Sequence, residues 1–255
     1  MKIHFAIDKT INAKKTKKII LNKYKNFSPE KCDVIVVIGG DGFMLQTLKR
    51  YQKFNKKFYG MNRGSYGFLM NKYKSISINK KILKAKPITI SALEMKAITK
   101  NNLIKKCISI NEISLLRQSR QTASLKIINN KKIIIKNLIS DGVLISTPAG
   151  STAYNSSVNG PILSLNSKRL AITPISPFRP RRWKGKITSF NSVIKIYNLN
   201  IKKRPVSVVA DNVEIRNIKK VIVSINSLIK FRLLYDKNNS LSKKIKSEQH
   251  RRNNL

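Results

Sequence analysis

Short apolar runs alternate with longer polar stretches in the first sixty residues, and this alternation constrains the fold more than any other feature. The apolar runs are rich in Val, Ile and Phe, whereas the stretches between them have a helical pattern with many lysines. Strand, helix, strand, helix, strand is the order of an open parallel sheet covered by helices. Predicted strands cover 3–7, 34–38 and 57–61, and predicted helices cover 12–25 and 43–52. The sequence thus predicts an α/β domain from residue 1 to 86.

The pattern changes after Pro87, where the segments become short, rich in β-branched residues and bounded by turns. Examples are "KCISINEISLLR", "VLISTP" and "PVSVVAD". Such runs, without a long amphipathic helix, predict a mostly antiparallel all-β sandwich domain from 87 to 236. The polar tail, 237–255, is expected to be a solvated end, although it could also pack back on the first domain.

The charge of the chain is strongly positive. The sequence has 53 Lys and Arg against 11 Asp and Glu, a formal net charge of +42. This balance raises the possibility of a nucleic-acid-binding protein. However, the basic residues are spread from Lys2 to Arg252, and the abundance of Lys, Ile and Asn fits a genome rich in A and T. We therefore expect no specific nucleic-acid partner.

The sequence offers no membrane segment and no metal cluster. The start, "MKIHFAIDKTINAKK", lacks the apolar core of a signal peptide, and no run is long enough to cross a bilayer. A cytoplasmic location without membrane contact is expected. Cys32 and Cys107 lie far apart in unrelated contexts, which indicates two buried thiols rather than a disulfide framework or a zinc site.

The second predicted strand ends in "GGDG", residues 39–42. Ligands of open α/β sheets bind at the carboxyl ends of the strands, and glycines there let backbone N–H groups approach phosphate. Asp41 would lie where a charged ligand arrives, or it could simply cap the following helix. Neither the P-loop pattern nor the G-x-G-x-x-G pattern is present, so any nucleotide chemistry needs a different phosphate cradle.

Two further motifs carry polar chemistry. "NE", Asn111 and Glu112, stands at the expected start of a strand. "SDGVLISTPAGSTAYN", residues 140–155, passes through a buried strand into a Gly-Ser-Thr turn that can open a helix at Ser151. Hydroxyl and N–H groups at such a turn suit phosphate or ribose, and Tyr154 offers a ring on which a base can stack. A capped helix with a core tyrosine is the structural alternative.

Together these three motifs resemble the family of ATP-dependent NAD kinases, in the same order and over nearly the whole chain. "GMNRGSYGFLMN", "ITPISPFRPRRW" and "RPVSVVADNVEIR" are similar to the alphaproteobacterial form of that family. A lone GGDG is shared with diacylglycerol kinases, whereas the STPAGSTAYN segment is much more specific. The resemblance implies transfer of the γ-phosphoryl group of ATP to the 2′-hydroxyl of the adenosine ribose of NAD, which gives NADP.

The resemblance also implies the site, its cofactor and the assembly. It implies a nucleotide site between the two domains, a divalent cation such as Mg²⁺ bound with ATP, and a homo-oligomer, dimer or tetramer, whose subunits help to close the site. Asp41 matches the proton acceptor, Phe68 is a candidate wall for a base, and Arg63 is a candidate phosphate contact. The implied dinucleotide-binding residues are Asp41, Gly42, Asn111, Glu112, Asp141, Ala149, Thr152, Ala153, Tyr154, Asn155, Ser156 and Ser157.

Two positions depart from the commoner pattern of the family. Phe178 stands where many members have histidine, and Asn212 follows Asp211 where many have glycine. Both fit the alphaproteobacterial form, but ligand roles there are not carried over. The alternatives to NAD kinase activity are a lipid kinase of the diacylglycerol type and the basic nucleic-acid-binding protein.

Overall fold

The computed structural model of the 255-residue chain describes residues 1–64, 67–74 and 77–237. These residues form two compact units, one made of 1–90 and 230–237 and the other of 91–229. The chain passes between the units within two long strands, Lys86–Thr99 and Ile218–Tyr235. The predicted domains, 1–86 and 87–236, remain a prediction, and the predicted tail lies outside the described residues except for Lys237.

The N-terminal unit is an α/β unit built on a parallel sheet, as the sequence predicts. Neighbouring strands pair in parallel in the order β1, β2, β3, and Arg232 and Leu233 of the last strand pair in parallel with the start of β3. Its elements are β1 (Ile3–Ile7), α1 (Ile11–Leu21), β2 (Val34–Gly39), α2 (Asp41–Arg50), β3 (Lys57–Asn62), β4 (Asn71–Lys72) and α3 (Ile78–Lys84).

Burial explains why these residues form these elements. All six residues of β2 are buried, as expected of a strand covered by helices on both faces. α1 buries Ala13, Thr16 and Ile20 on one face. It ends at Leu21, earlier than predicted, because a turn in which Tyr24 N–H donates to the Ile20 carbonyl at 2.9 Å brings the Tyr24 ring against Phe5.

The C-terminal unit is all-β apart from one short helix among its described residues. Its strands are β5 (Lys86–Thr99), β6 (Ile104–Ser109), β7 (Glu112–Arg117), β8 (Ala123–Asn129), β9 (Lys132–Ser140), β10 (Gly142–Ser146), β11 (Arg169–Ile175), β12 (Lys186–Ser189), β13 (Ile194–Asn198), β14 (Val206–Ala210), β15 (Val213–Ile215) and β16 (Ile218–Tyr235). The helix is α4 (Tyr154–Ser157).

Two antiparallel sheets form this unit. One follows the order β12, β11, β10, β7, β14, β15, and the other joins β9, β8, β13 and β16, with β5 and β6 beyond β16. Apolar side chains from both sheets make one core, for example Leu115 and Val143 from the first sheet and Ile127 and Val221 from the second. The predicted antiparallel β-sandwich is confirmed.

Both cysteines lie in strand-rich surroundings, but they differ in burial. Cys32 is buried, and burial raises the pKa of its thiol. Cys107 is only partly buried, contrary to expectation, because β6 pairs with β5 alone and leaves its other edge open among the described strands.

Within residues 1–64, 67–74 and 77–237, no helix is long and apolar enough to span a membrane.

Candidate active site

Glycines bring backbone segments together at the carboxyl ends of β2 and β3. The Gly39 carbonyl accepts the Arg63 N–H at 2.8 Å. A Cβ on Gly64 would lie 3.2 Å from the Gly40 Cα, which is a tight contact. The close approach of the two loops therefore depends on the absence of a side chain at Gly64, a residue outside the GGDG motif.

Asp41 lies at this edge as the first residue of α2, and Gly40 occupies the N-cap position. The Asp41 carboxylate accepts hydrogen bonds from the Phe68 N–H at 2.7 Å and the Leu69 N–H at 3.0 Å. A Cβ on Gly67 would lie 2.9 Å from Asp41 Oδ1, so glycine is needed for the segment to come this close. Backbone donors across the edge thus orient the carboxylate, and Asp41 is not the N-cap residue that the structural alternative requires.

The segment that holds Asp41 is tied to the end of β16. The Tyr235 hydroxyl donates to the Phe68 carbonyl at 3.2 Å. Burial raises the pKa of Tyr235, and the negative charge of Asp41 raises it further, so the phenol stays a neutral donor. Phe68 itself is half-buried, and the bonds to Asp41 and Tyr235 use its backbone rather than its ring.

Arg63, the candidate phosphate contact, already has partners within the N-terminal unit. Its guanidinium lies over the Tyr73 ring at 4.4 Å from the centroid, and its Nε donates to the Asn12 carbonyl at 3.3 Å. These contacts fix the side chain beside the edge that carries Asp41. Contact with a phosphate stays a prediction.

A second group of polar residues forms in the C-terminal unit, where the turn after β10 packs on the NE motif. The Thr147 N–H donates to the Asn111 carbonyl at 2.9 Å, and the Thr147 hydroxyl donates to the Ile110 carbonyl at 2.7 Å. The same hydroxyl accepts the Gly150 N–H at 3.1 Å. A Cβ on Gly150 would lie 2.2 Å from the Asn111 carbonyl oxygen, so only glycine permits this contact. The structure brings the two predicted motifs together.

Two polar atoms of the NE motif are buried without a hydrogen-bond partner among the described residues, Asn111 Oδ1 and Glu112 Oε2. Buried polar atoms in native proteins are nearly always paired, because an unpaired one costs about 1–3 kcal/mol. Burial raises the pKa of Glu112 to about 7, and the like charge of Asp211 adds to the effect. Two adjacent acceptors in this state suit a ligand that carries hydroxyl or amide donors.

Asp211 supports the NE motif from the turn between β14 and β15, where its backbone has a left-handed φ of 52°. Its carboxylate accepts the Ser109 hydroxyl at 2.7 Å, the Ile110 N–H at 2.9 Å and the Asn111 N–H at 2.9 Å. In the sequence, Asp211 stands out only as part of an Asp-Asn pair where many family members have Asp-Gly. An acid in a tight turn was the available signal, but its partners lie about 100 residues away in the chain.

The STPAGSTAYN segment forms a 3₁₀ turn, Gly150–Thr152, followed by the short helix α4. Ser151 is buried and donates to the Pro148 carbonyl at 2.8 Å. Asn155 is also buried; its Oδ1 accepts the Thr173 hydroxyl at 2.6 Å, and its Nδ2 donates to the Pro161 carbonyl at 2.9 Å. These two side chains hold the turn, and the helix begins after Ser151 because the 3₁₀ turn comes first.

The remaining predicted residues differ in exposure. Tyr154 is half-buried, and burial raises its pKa, with further contributions from the charges of Asp141 and Glu112. Asp141 pairs with Arg117 Nε at 2.5 Å. Of the others, Ala149 is buried, Thr152 and Ala153 are half-buried, and Gly42, Ser156 and Ser157 are exposed.

The two positions that depart from the commoner family pattern are both at the surface. Phe178 is 50% exposed, and the guanidinium carbons of Arg179 and Arg181 lie 5.3 and 5.8 Å from its ring centroid. Asn212 is exposed beside Asp211.

Comparison with known proteins shows that two parts of the chain match the two domains of one protein family. Residues 3–85 match the N-terminal domain of ATP-NAD kinase, and residues 110–230 match its C-terminal domain. The chain belongs to the ATP-NAD kinase family. GGDG lies within the first match, and both the NE motif and the STPAGSTAYN segment lie within the second, so the resemblance drawn from these motifs is confirmed.

Relatives of this ATP-NAD kinase family member cover nearly its whole length. It is 44% identical to the NAD kinase of Zymomonas mobilis over 95% of both chains. It is 43% identical to the NAD kinase of Mesorhizobium japonicum over 98% of this chain and 97% of that one. Alphaproteobacterial relatives are among these matches, as the sequence predicts.

Solved structures show the fold of the family. An NAD kinase from Archaeoglobus fulgidus in complex with ATP superposes with a TM-score of 0.76 at 20% identity, over 97% of this chain and 99% of that one. Yeast NADH kinase complexed with NADH gives a TM-score of 0.74 at 22% identity, over 88% and 68%.

Proposed function

We propose that this ATP-NAD kinase family member is an NAD kinase that uses ATP to phosphorylate the 2′-hydroxyl of the adenosine ribose of NAD. Support comes from the 44% identity with an NAD kinase over 95% of both chains. The structural observation that carries the proposal is the pair of buried acceptors, Asn111 Oδ1 and Glu112 Oε2, that have no partner among the described residues. Ribose hydroxyls and the amino group of adenine are donors that satisfy such atoms.

Asp41 is proposed as the proton acceptor of the reaction. The ribose oxygen forms a bond to the γ-phosphorus, the bond from that phosphorus to ADP breaks, and its electrons leave with ADP. The proton of the hydroxyl passes to the Asp41 carboxylate. Because the phosphoryl-transfer transition state is loose, most of the catalysis comes from alignment and from neutralising negative charge. The amide bonds from Phe68 and Leu69 support this role because they hold the carboxylate in one orientation.

The other predicted residues are proposed to bind the dinucleotide. The half-buried Thr152 of the turn offers a hydroxyl to phosphate or ribose, and the half-buried ring of Tyr154 offers a stacking face. Asn155 is proposed to act mainly through the shape of this turn, since its amide is bonded within the protein.

The divalent cation is proposed to enter with ATP. No group of three or more His, Cys, Asp or Glu side chains suited to a metal occurs in the described part of the chain. Mg²⁺ often has few protein ligands and is held largely by substrate phosphates and water, where it neutralises charge. The homo-oligomer and the cytoplasmic location also stay predictions.

The test is a synthesis assay on the purified chain. NAD, ATP and MgCl₂ are mixed with the protein, and NADP is measured with an NADP-specific dehydrogenase. Parallel reactions replace ATP by polyphosphate and NAD by NADH, which defines the donor and the acceptor. NADP formation is expected. Its absence, together with phosphorylation of diacylglycerol vesicles, would favour the lipid kinase, whereas RNA binding that survives physiological salt would favour the nucleic-acid-binding protein.

A further inference from the structure

We propose that Asp211 is a positioning residue for the dinucleotide: its carboxylate fixes the backbone before the NE motif, so that Asn111 and Glu112 present their acceptors to the ligand. This inference rests on the proposed function. It assigns Asp211 no direct contact with the substrate.

The first support is the direction of the hydrogen bonds. Asp211 Oδ1 accepts the Ser109 hydroxyl and the Asn111 N–H, and Oδ2 accepts the Ile110 N–H. One carboxylate thus collects donors from three consecutive residues. Bonds from N–H groups to a charged acceptor are about twice as strong as neutral ones, so they define where the backbone of Asn111 lies.

The second support is the structure around these bonds. The Asp211 N–H donates to the Glu112 carbonyl at 3.3 Å, so the turn that carries Asp211 also contacts the start of β7. The Ser109 hydroxyl oxygen also lies 2.6 Å from this same carbonyl, so its single hydrogen is shared between the carbonyl and Asp211. Thr147 and Gly150 hold Asn111 from the side of β10. The NE motif is therefore fixed from two neighbouring strands, and Asp211 provides one of the two supports.

The third support is electrostatic. The Asp211 charge adds to burial in raising the pKa of Glu112 to about 7. Other titratable groups near the motif are Tyr154, whose pKa is raised partly by Glu112, and Asp141, which pairs with Arg117. If the ionised form of Glu112 accepts ribose hydroxyls, binding strengthens as the pH rises through the pKa of Glu112 in the free protein.

The experiment compares the wild-type protein with Asp211→Asn. The variant keeps the shape of the side chain, but it removes the charge and turns one acceptor into an NH₂ group that faces an N–H donor. We expect KM for NAD to rise about tenfold at pH 8, with a much smaller change in kcat. On the acid side of the pH profile, kcat/KM for NAD should fall as Glu112 becomes protonated, and we call this fall the acid limb. We also expect the acid limb to move to lower pH in the variant, because the loss of a neighbouring negative charge lowers the pKa of Glu112.

Three controls make the result decisive. Glu214→Gln removes one acidic charge on β15, where the exposed side chain pairs with Arg216 at 3.1 Å, and it should leave KM and the acid limb of the pH profile unchanged. Glu112→Gln removes the titrating carboxyl group and should therefore abolish the acid limb of the pH profile. Ser109→Ala deletes one of the three donors and should give a smaller rise in KM, which keeps the test valid if Asp211→Asn does not fold.

The outcomes separate the inference from the proposed function. Wild-type protein that makes no NADP would overturn the proposed function itself. If the wild-type protein is active and Asp211→Asn has the same KM and the same acid limb, only the positioning role is overturned. A uniform loss of activity without a shift of the limb would also overturn it, since a purely structural role predicts that result.

Discussion

Two carboxylates, Asp41 in the N-terminal unit and Glu112 in the C-terminal unit, are held in opposite ways. Backbone N–H groups of Phe68 and Leu69 bind the carboxylate of Asp41 and orient it. Glu112 is half-buried, its Oε2 atom is buried without a hydrogen-bond partner among the described residues, and its pKa is raised. The difference teaches that a carboxylate can be oriented by backbone donors or left with an unsatisfied oxygen, and in the proposed function the first arrangement serves proton transfer and the second serves ligand binding.

The largest expected effect comes from Asp41→Asn, which removes the proposed proton acceptor. Turnover should fall about 10²- to 10⁴-fold, while NAD binding measured by calorimetry is largely retained. Asp33→Asn is the matched control, because this exposed acid precedes β2 at its other end and accepts a backbone N–H from Lys2 at 2.7 Å. Full activity in Asp41→Asn would remove Asp41 from the mechanism and end the contrast.

Orientation can be tested separately from the presence of the carboxylate. Gly67→Ala keeps Asp41 but places a Cβ 2.9 Å from its Oδ1 and 3.1 Å from the Met70 side chain. We expect kcat to fall by at least tenfold with little change in the pH profile, as measured by steady-state assays. A fully active variant would show that the bonds to this segment do not matter for turnover.

Glu112→Gln tests the other half of the comparison through the pH dependence of stability. The folded-state pKa of Glu112, about 7, lies above the ordinary 4.5, so the folded chain binds more protons between these values. The protonated Glu112 side chain therefore stabilises the fold fully below pH 4.5. This contribution to the free energy of unfolding, at most about 3 kcal/mol, is lost as the pH rises to 7. Denaturant unfolding should show this loss in the wild type and not in the variant.

Equal pH slopes for the wild type and Glu112→Gln would contradict the raised pKa of Glu112. Saturating NAD should reduce the difference between them if the ligand supplies the missing donor, because ligand binding to the ionised form lowers the pKa.

Gly150→Ala tests whether the packing of the turn on the NE motif is as tight as the geometry indicates. The added Cβ would lie 2.2 Å from the Asn111 carbonyl oxygen, so the backbone must shift. We expect a loss of about 1–3 kcal/mol of unfolding free energy and weaker NAD binding. Gly42→Ala is the control for stability alone, since a Cβ there meets nothing within 4 Å. Equal stability of the two variants would count against this packing.

The smallest effect is expected for Tyr59→Phe. This variant tests Asp236, a reference carboxylate that is bound by protein groups alone. Tyr59 donates to Asp236 Oδ1 at 2.8 Å, and Lys81 lies 3.6 Å from Oδ2. Loss of this hydrogen bond should cost about 0.5–1.5 kcal/mol in thermal or denaturant unfolding, without an effect on KM. A changed KM would mean that Asp236 also influences the site.

Much of the fold follows from local sequence. The apolar run of β2 is fully buried, and the strand ends at Gly39, one residue after the predicted end, where an added Cβ would lie 2.9 Å from the Phe43 ring and 3.0 Å from the Asp8 Cβ. The helix α3 was not predicted, since its seven residues, "INKKILK", are too few for a clear periodicity. The end of α1 was misplaced because the stop is a tertiary contact of Tyr24 with Phe5 rather than a glycine or proline.

The motifs that meet in the C-terminal unit are visible in the sequence, whereas the bonds that support them and Asp41 are not. Asn111 and the turn at 147–150 meet as their resemblance to the family implies, but the bonds from Asp211 and from Phe68 join residues far apart in sequence. Periodicity and turn chemistry describe neighbours in the chain. They carry no information on which backbone N–H a distant carboxylate will accept.

The strand β16 has a consequence for the order of synthesis. Its residues Arg232 and Leu233 pair with Lys57 and Phe58 of β3, and Leu234 is buried in the core of the N-terminal unit. A nascent chain that has reached only residue 90 therefore leaves this edge of β3 open. The N-terminal unit, although most of it is made first, must wait for residues 232 and 233 before its sheet is complete.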